Sequence, residues 1–191
     1  IDLGAMLPEA GHFANDLIVD KVGNIYVTDS FSPVVYKIDL AGTATIFFED
    51  QALAGEGFGF NGIALHPDGY LLIAKYNDGT LYKVPIAEPG TYTQVNLPKA
   101  YFGADGLLLK SATELYVVAK ATNVPTHHAI LLESSDDWAS ASEQGRMPTG
   151  EVFATTATMV EDSPYMLYAH LNALFGGQPA VTSYEIQQLS F

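Results

Sequence analysis

The chain has no cysteine and little positive charge. Of its 191 residues, 8 are Lys or Arg and 22 are Asp or Glu, for a formal net charge of -14. Without cysteine the chain forms no disulfide, thiolate nucleophile or cysteine–zinc site, although this does not fix its compartment. The acidic excess repels nucleic-acid phosphates and attracts cations, and it also fits a solubilising surface. We therefore expect no nucleic-acid partner.

Long apolar runs and several catalytic motifs are also missing. A bilayer-spanning helix needs roughly 18 apolar residues, and the runs here stop after about five or six, so we expect no membrane anchor. The sequence has no Gly-x-Ser-x-Gly elbow, phosphate loop, His-Glu-x-x-His zinc helix or dinucleotide fingerprint. The chain begins at Ile1 without a methionine or signal peptide, so we expect upstream residues to be removed or not shown. Low Lys and Arg content favours an extracellular or periplasmic protein.

What the sequence does contain is an internal repeat of about 45 residues. Its four copies start at Asn15, Asn61, Asp105 and Thr155. In each copy a β-rich run leads to a turn eight residues after the start, and a second β-rich run follows. The second runs are Ile25-Tyr-Val-Thr, Leu71-Leu-Ile-Ala, Leu115-Tyr-Val-Val and Met166-Leu-Tyr-Ala. Further short runs follow these, as expected of strands.

Repeats of this length, with up to four antiparallel strands each, predict an all-β propeller. A β-sandwich is the alternative, but its strands have no reason to repeat the same polar residue and turn in phase. We predict one domain over residues 1–191, with four visible four-stranded blades. The segment from Ile1 to Leu7 is predicted to be an outer strand that completes blade four or belongs to a preceding blade.

Propeller geometry brings certain polar residues to one mouth of the channel. The innermost strand of each blade begins where the second strand, running back antiparallel, ends. The inner starts are the four repeat starts, and the second strands end at Asp29, Lys75, Ala119 or Lys120, and His170. Amide, carboxylate and hydroxyl oxygens around one axis suit a hard cation, so we predict one Ca²⁺ or another divalent ion per propeller.

Each of these residues also has a purely structural interpretation. Asn or Asp before a strand often caps a turn, which applies to Asn15, Asn61 and Asp105. Lys75 and His170 are commonly rim residues with structural hydrogen bonds. These interpretations stay open at this point.

The segments Phe13-Ala-Asn-Asp-Leu, Phe60-Asn-Gly-Ile-Ala-Leu-His-Pro-Asp-Gly and Ala104-Asp-Gly-Leu resemble the gluconolactonase and senescence-marker-protein (regucalcin-like) family of six-bladed propellers, whose blades are NHL-like. The resemblance implies a calcium ion held by Asn61, Asp105 and a first-blade Glu, which has no counterpart here. It further implies that the four visible blades belong to a six-bladed propeller, that Asn15 touches substrate and that the reaction is hydrolysis of a sugar lactone or related ester.

Two functions follow as hypotheses. In the first, the protein is a calcium-dependent lactonase or esterase acting on a small molecule, with Asp105 as catalytic base and metal ligand, and Asn61 as second ligand. Asn15, Lys75 and His170 would bind substrate. In the second, it is a non-catalytic extracellular propeller that binds a partner or assembles with copies of itself through unpaired blade edges.

Overall fold

Each repeat folds into one antiparallel sheet. The computed structural model describes residues 1–120, 127–149 and 153–191. Blade one contains β1 (Ala14–Val19), β2 (Ile25–Asp29), β3 (Val34–Ile38) and β4 (Ala44–Glu49). Blade two contains β5 (Phe60–His66), β6 (Tyr70–Lys75), β7 (Thr80–Pro85) and β8 (Thr93–Gln94).

The other two blades follow the same order. Blade three contains β9 (Ala104–Leu109), β10 (Glu114–Lys120), β11 (His127–Glu133) and β12 (Ser142–Pro148). Blade four contains β13 (Ala154–Val160), β14 (Ser163–Tyr168) and β15 (Glu185–Gln188), with the short helix α1 (Leu171–Phe175) after β14. Strands that follow one another in sequence pair in space, so the prediction of an all-β propeller with four visible blades is confirmed. Blade four has three strands.

The core lies between blades. β1 packs beside β5, β5 beside β9, and β9 beside β13, so the four inner strands stand side by side. One apolar cluster joins blades one and two through Tyr26, Phe60 and Ile73. A second joins blades two and three around Leu72 and Trp138, and a third joins blades three and four. Burial of these faces is the main force that holds the blades together.

Glycines allow the close approach of neighbouring inner strands. A Cβ on Gly62 would overlap the backbone carbonyl oxygen of Asp105 in the next blade. A Cβ on Gly106 would lie 2.5 Å from the Cα of Thr156. The Asn-Gly and Asp-Gly pairs of the repeat therefore combine a polar side chain with a position where no side chain fits.

The prediction of an outer strand over Ile1 to Leu7 is wrong. This segment forms a 3₁₀ helix at Gly4–Met6, and Leu3, Met6 and Leu7 pack against the outward face of blade one. Their apolar side chains cover Val34 and Tyr36, which would otherwise be exposed on that face. Two further 3₁₀ turns lie at Gln51–Leu53 and Pro89–Thr91. No helix of the described ranges is long and apolar enough to cross a membrane.

Candidate functional site

The four repeat starts meet at one end of the channel, which we call the mouth. Here the first residue of each inner strand pairs with the end of the second strand. The four pairs are Ala14 with Asp29, Phe60 with Lys75, Ala104 with Ala119, and Ala154 with Tyr168. The predicted placement of inner starts and second-strand ends at the same end of each blade agrees with this pairing.

All four inner strands bulge at the mouth. The pairing register shifts directly after the first residue of each inner strand. The residues inside the bulges include Asn15, Asn61, Asp105 and Thr155. An extra residue in a bulge has no direct cross-strand partner and its side chain is turned away from the regular alternation. The bulges thus explain why these four side chains line one pocket of about 270 Å³.

Asp105 is the most perturbed carboxyl group at the mouth. Burial and then the negative charge of Asp16 raise the pKa of Asp105 to about 7, while a hydrogen bond from Asn61 opposes this rise. Burial also raises the pKa of Asp16, and the backbone N–H groups of Leu17 and Ile63 partly offset that effect. Two half-buried carboxyl groups whose negative charges repel each other favour a bound proton or a bound cation.

Asn61 contributes an unsatisfied acceptor to the same pocket. The residue is 4% exposed, and its side-chain oxygen Oδ1 is buried without a hydrogen-bond partner. A buried polar atom in this state is costly, by about 1–3 kcal/mol, unless a ligand or ion satisfies it. An amide oxygen beside a carboxylate is the donor chemistry of a calcium site, so these two residues fit the predicted ion.

Hydrogen bonds from blade one fix the other side of the mouth. Asn15 Nδ2 donates to Ser30 Oγ at 2.8 Å, and Ser30 Oγ donates to the Phe60 carbonyl at 2.6 Å. Thr28 Oγ1 donates to the Asn61 carbonyl at 2.7 Å. Because Ser30 and Thr28 are buried, these bonds tie blade one to the backbone that carries Asn61.

Two predicted substrate-binding residues lie outside this pocket. Lys75 is buried at the end of β6, but its Nζ donates to Asp78 Oδ2 at 2.7 Å, and the side chain is not among the described residues that line the pocket. His170 has a left-handed backbone (φ 51°) at the start of α1. Its neighbours Ala169 and Leu171 line the pocket, whereas its own ring lies 6.1 Å from Tyr184.

The sequence interpretation missed the aromatic side of the mouth. The pocket is lined by Phe13, Phe58, Tyr76, Phe153 and Phe175 in addition to the polar residues. Tyr76 lines the same pocket as Asp105, and burial and then the charge of Asp105 raise the pKa of the tyrosine. The sequence does carry a signal for this aromatic side, because a phenylalanine stands two or three residues before the polar residue that starts each repeat. These are Phe13, Phe58, Phe102 and Phe153.

A separate acidic cluster lies toward the other end of the channel. His66, Asp68 and Asp137 offer ligand atoms within 4.8 Å of one another. However, His66 Nε2 donates to the Ala112 carbonyl, and Nδ1 accepts the Asp68 N–H. Asp137 accepts bonds from Lys83 Nζ at 2.6 Å and Tyr70 Oη at 2.9 Å. Because His66 and Asp137 bond to groups of the neighbouring blade, they link blades two and three.

Comparison with solved structures supports the fold. The chain resembles Staphylococcus aureus virginiamycin B lyase, solved as an inactive variant with quinupristin, at 16% identity and TM-score 0.62, over 95% of this chain and 56% of that one. It resembles the major Malassezia sympodialis allergen Mala s 1 at 18% identity and TM-score 0.63, over 90% and 55%. It also resembles a candidate gluconolactonase at 17% identity and TM-score 0.60, over 80% and 54%.

The chain therefore spans about half the length of these structures. No family model matches the sequence, and no curated protein matches it. At such low identity the likeness establishes a β-propeller, and the predicted gluconolactonase-like family stays a prediction.

Proposed function

We propose that the mouth is the active site of a divalent-metal-dependent hydrolase that acts on a lactone or related ester. The observation that carries the proposal is the pair formed by Asp105 and Asn61. The carboxyl group has a pKa raised to about 7, and the amide oxygen next to it is buried without a partner. Perturbed acids and unsatisfied acceptors in a concave site are characteristic of catalytic and ligand-binding positions.

Asn61 and Asp105 would hold the metal, and calcium is the ion that their oxygens suit. When bound, the ion supplies Lewis-acid polarisation of the ester carbonyl. Asp105 also accepts the proton of the attacking water, since its carboxylate lines the pocket in which the ester is held. Asn15 and Thr155 line the same pocket and orient the substrate through hydrogen bonds.

A calcium titration tests the metal, and lactone hydrolysis tests the activity. For the wild type we expect one bound ion per chain by calorimetry. Asp105→Ala should abolish this binding and lower kcat/KM by about 10²-fold or more. Asp162→Ala is the matched control, because that residue is exposed and lies outside the pocket. Absence of divalent-ion binding, or unchanged hydrolysis in Asp105→Ala, would show the proposal to be wrong.

A second candidate function is self-association of a non-catalytic propeller. The exposed apolar side chains at the two ends of the row of blades favour it. Leu17 and Val19 of β1 are 54% and 50% exposed, and Val160 of β13 and Ile186 of β15 are 55% and 69% exposed. Inner-strand and edge-strand apolar groups of this kind are normally covered by another blade. The occupant we propose is a second copy of the chain.

Solution mass decides this second candidate. Self-association predicts a species of about twice 20.5 kDa by light scattering. Leu17→Lys should shift the mass toward the monomer, whereas Leu40→Lys, which changes an exposed side chain in the β3–β4 turn, should not. A folded wild-type chain that remains a monomer at high concentration would exclude this function.

A further inference from the structure

One side of the mouth is a continuous aromatic surface. Phe13 and Phe31 have ring centroids 5.4 Å apart, and both pack against Phe58, at 5.4 Å and 5.2 Å. Phe58 in turn contacts Tyr76 at 5.9 Å. These distances and the tilted or edge-on ring orientations are those of favourable aromatic pairs. We call these four residues the aromatic wall.

The aromatic wall lies directly beside Asn61 and Asp105, which we call the polar floor. Phe13, Phe58 and Tyr76 line the same pocket as Asn61 and Asp105. Phe13 is 43% exposed and Phe31 is 51% exposed, so the wall is not fully covered by the chain itself. An exposed aromatic cluster next to a few converging polar groups is the composition of a small-molecule site.

The opposite side of the pocket is also apolar. It is formed by Phe153, Ala169, Leu171 and Phe175. Among the described lining residues, the side-chain groups able to hydrogen-bond are the four polar residues of the bulges and the Tyr76 hydroxyl. Recognition of a polyhydroxylated sugar requires polar partners around the whole ring, because each buried hydroxyl without a partner weakens binding. Lys75, which was predicted to supply such a contact, is paired with Asp78 instead.

The size of the pocket sets the size of the ligand. Its volume is about 270 Å³, whereas a cavity of about 150 Å³ accommodates benzene. The pocket therefore has room for one aromatic ring and a fused or attached polar group. With the ring on the aromatic wall, the polar group can reach the floor at Asp105.

We infer that the mouth selects lactones or esters with a flat, apolar, aromatic body in preference to sugar lactones. This inference rests on the proposed function for the reaction, and on the aromatic wall for the selectivity. The aromatic body packs between Phe58 and the opposite apolar side, and the ester carbonyl lies at the Asn61 and Asp105 floor.

The test compares two ligand bodies in a form that is not hydrolysed. Dihydroquinolinone is the lactam of the aromatic lactone dihydrocoumarin, and gluconolactam is the lactam of a sugar lactone. Binding of each lactam to the wild type, measured by calorimetry or saturation-transfer NMR in the presence of calcium, should favour the aromatic lactam by about tenfold or more. Equal affinity, or tighter binding of gluconolactam, would overturn the inference.

Variants assign the selectivity to the aromatic wall. Phe58→Ala should weaken binding of the aromatic lactam about tenfold and leave gluconolactam unchanged. Phe58→Leu keeps most of the volume and should give an intermediate loss, so it tests the ring if the alanine variant folds poorly. Phe102→Ala is the matched control, because Phe102 holds the same rim position before β9, is 46% exposed and lies outside the pocket lining. Unchanged aromatic-lactam binding in both Phe58 variants would overturn the inference.

Turnover separates this inference from the proposed function. Hydrolysis of dihydrocoumarin with a higher kcat/KM than gluconolactone supports both. Selective binding of the aromatic lactam without hydrolysis of any lactone supports the ligand class and contradicts the hydrolase. Hydrolysis that prefers gluconolactone supports the hydrolase and contradicts the ligand class.

Discussion

Blade two and blade four share a strand order but differ in their surroundings. All six residues of β6 in blade two are buried, whereas all four residues of β15 in blade four are exposed. Blade two shares apolar clusters with blades on both faces, while blade four packs its buried face on blade three. The difference shows that a blade of this type gains its stability from its neighbours. Local stability should therefore fall from the middle blades toward the ends.

The candidate site extends across this gradient. Asn61 and Asp105 are carried by the two middle blades, while Asn15 and Thr155 are carried by the end blades. The proposed metal ligands thus stand on the best-packed strands, where their positions are most closely held.

The largest expected effect is a direct test of the gradient. Leu72 in blade two is 0% exposed and Ile186 in blade four is 69% exposed. Leu72→Ala should lower the free energy of unfolding by about 2–5 kcal/mol, because it removes buried apolar volume from a packed interface. Ile186→Ala should change it by less than about 0.5 kcal/mol. Urea unfolding measures both, and similar losses in the two variants would contradict the gradient.

Equivalent positions of blades three and four carry a titratable carboxyl group, on Asp105, and an uncharged hydroxyl group, on Thr155, so only the first should make stability depend on pH. Asp105 has a folded pKa of about 7 against an ordinary value of 3.8, so the folded protein binds more protons than the unfolded chain between these values. The free energy of unfolding should therefore fall as pH rises from 4 to 7. With calcium chelated at pH 8, Asp105→Asn should be more stable than the wild type by roughly 2–4 kcal/mol.

The control for this pH dependence is Thr155→Ala in blade four, which removes no titratable group from the equivalent position. It should leave the slope of stability against pH as in the wild type. If Asp105→Asn has the wild-type slope as well, the carboxyl group is not perturbed as the structure indicates.

The smallest expected effect concerns the covered end of blade one. His12 Nδ1 and Asp29 Oδ2 are 2.8 Å apart, and His12 Nε2 donates to the Leu7 carbonyl at 2.8 Å. The bond to Leu7 and then the bond to Asp29 raise the His12 pKa above 6.5. The stabilisation is therefore fully present below pH 6.5 and is lost as pH rises through the raised pKa.

Hydrogen exchange of residues 1–12 measures this contact. Exchange should accelerate as pH rises through the His12 titration, beyond the intrinsic increase recorded for β6. His12→Ala should lower the protection of this segment by about 1 kcal/mol at low pH and remove the extra pH dependence. Identical behaviour of wild type and variant would show that the segment is held by Leu3, Met6 and Leu7 alone.

The repeat made the fold predictable. Strands that recur in phase with the same turns leave few arrangements besides a propeller, and the starts at Asn15, Asn61, Asp105 and Thr155 all lie at one mouth. The prediction of a strand over residues 1–7 was wrong because a short apolar segment can pack as a helical turn as readily as a strand. The tertiary contact with Tyr36 and Val34 decides between them.

The candidate site was only partly predictable. Lys75 has the predicted place in its strand, but its ammonium group forms an ion pair with the carboxylate of Asp78, three residues later. The bulges depend on pairing with a neighbouring strand and so leave no local sequence pattern. The effect of Asp16 on Asp105 could not be predicted, because the two residues are far apart in sequence and are brought together only by the arrangement of the blades.

The four bulges occur at the same position of each repeat. Because the backbone, and not the residue type, presents the side chain at each of these positions, the residue there can be exchanged while the strand pairing around it is retained. Amide, amide, carboxylate and hydroxyl groups already occupy the same place in successive blades. The mouth thus has four equivalent positions, one in each repeat. Replacing the residue at one of them changes the chemistry of the pocket while the blade that carries it is kept.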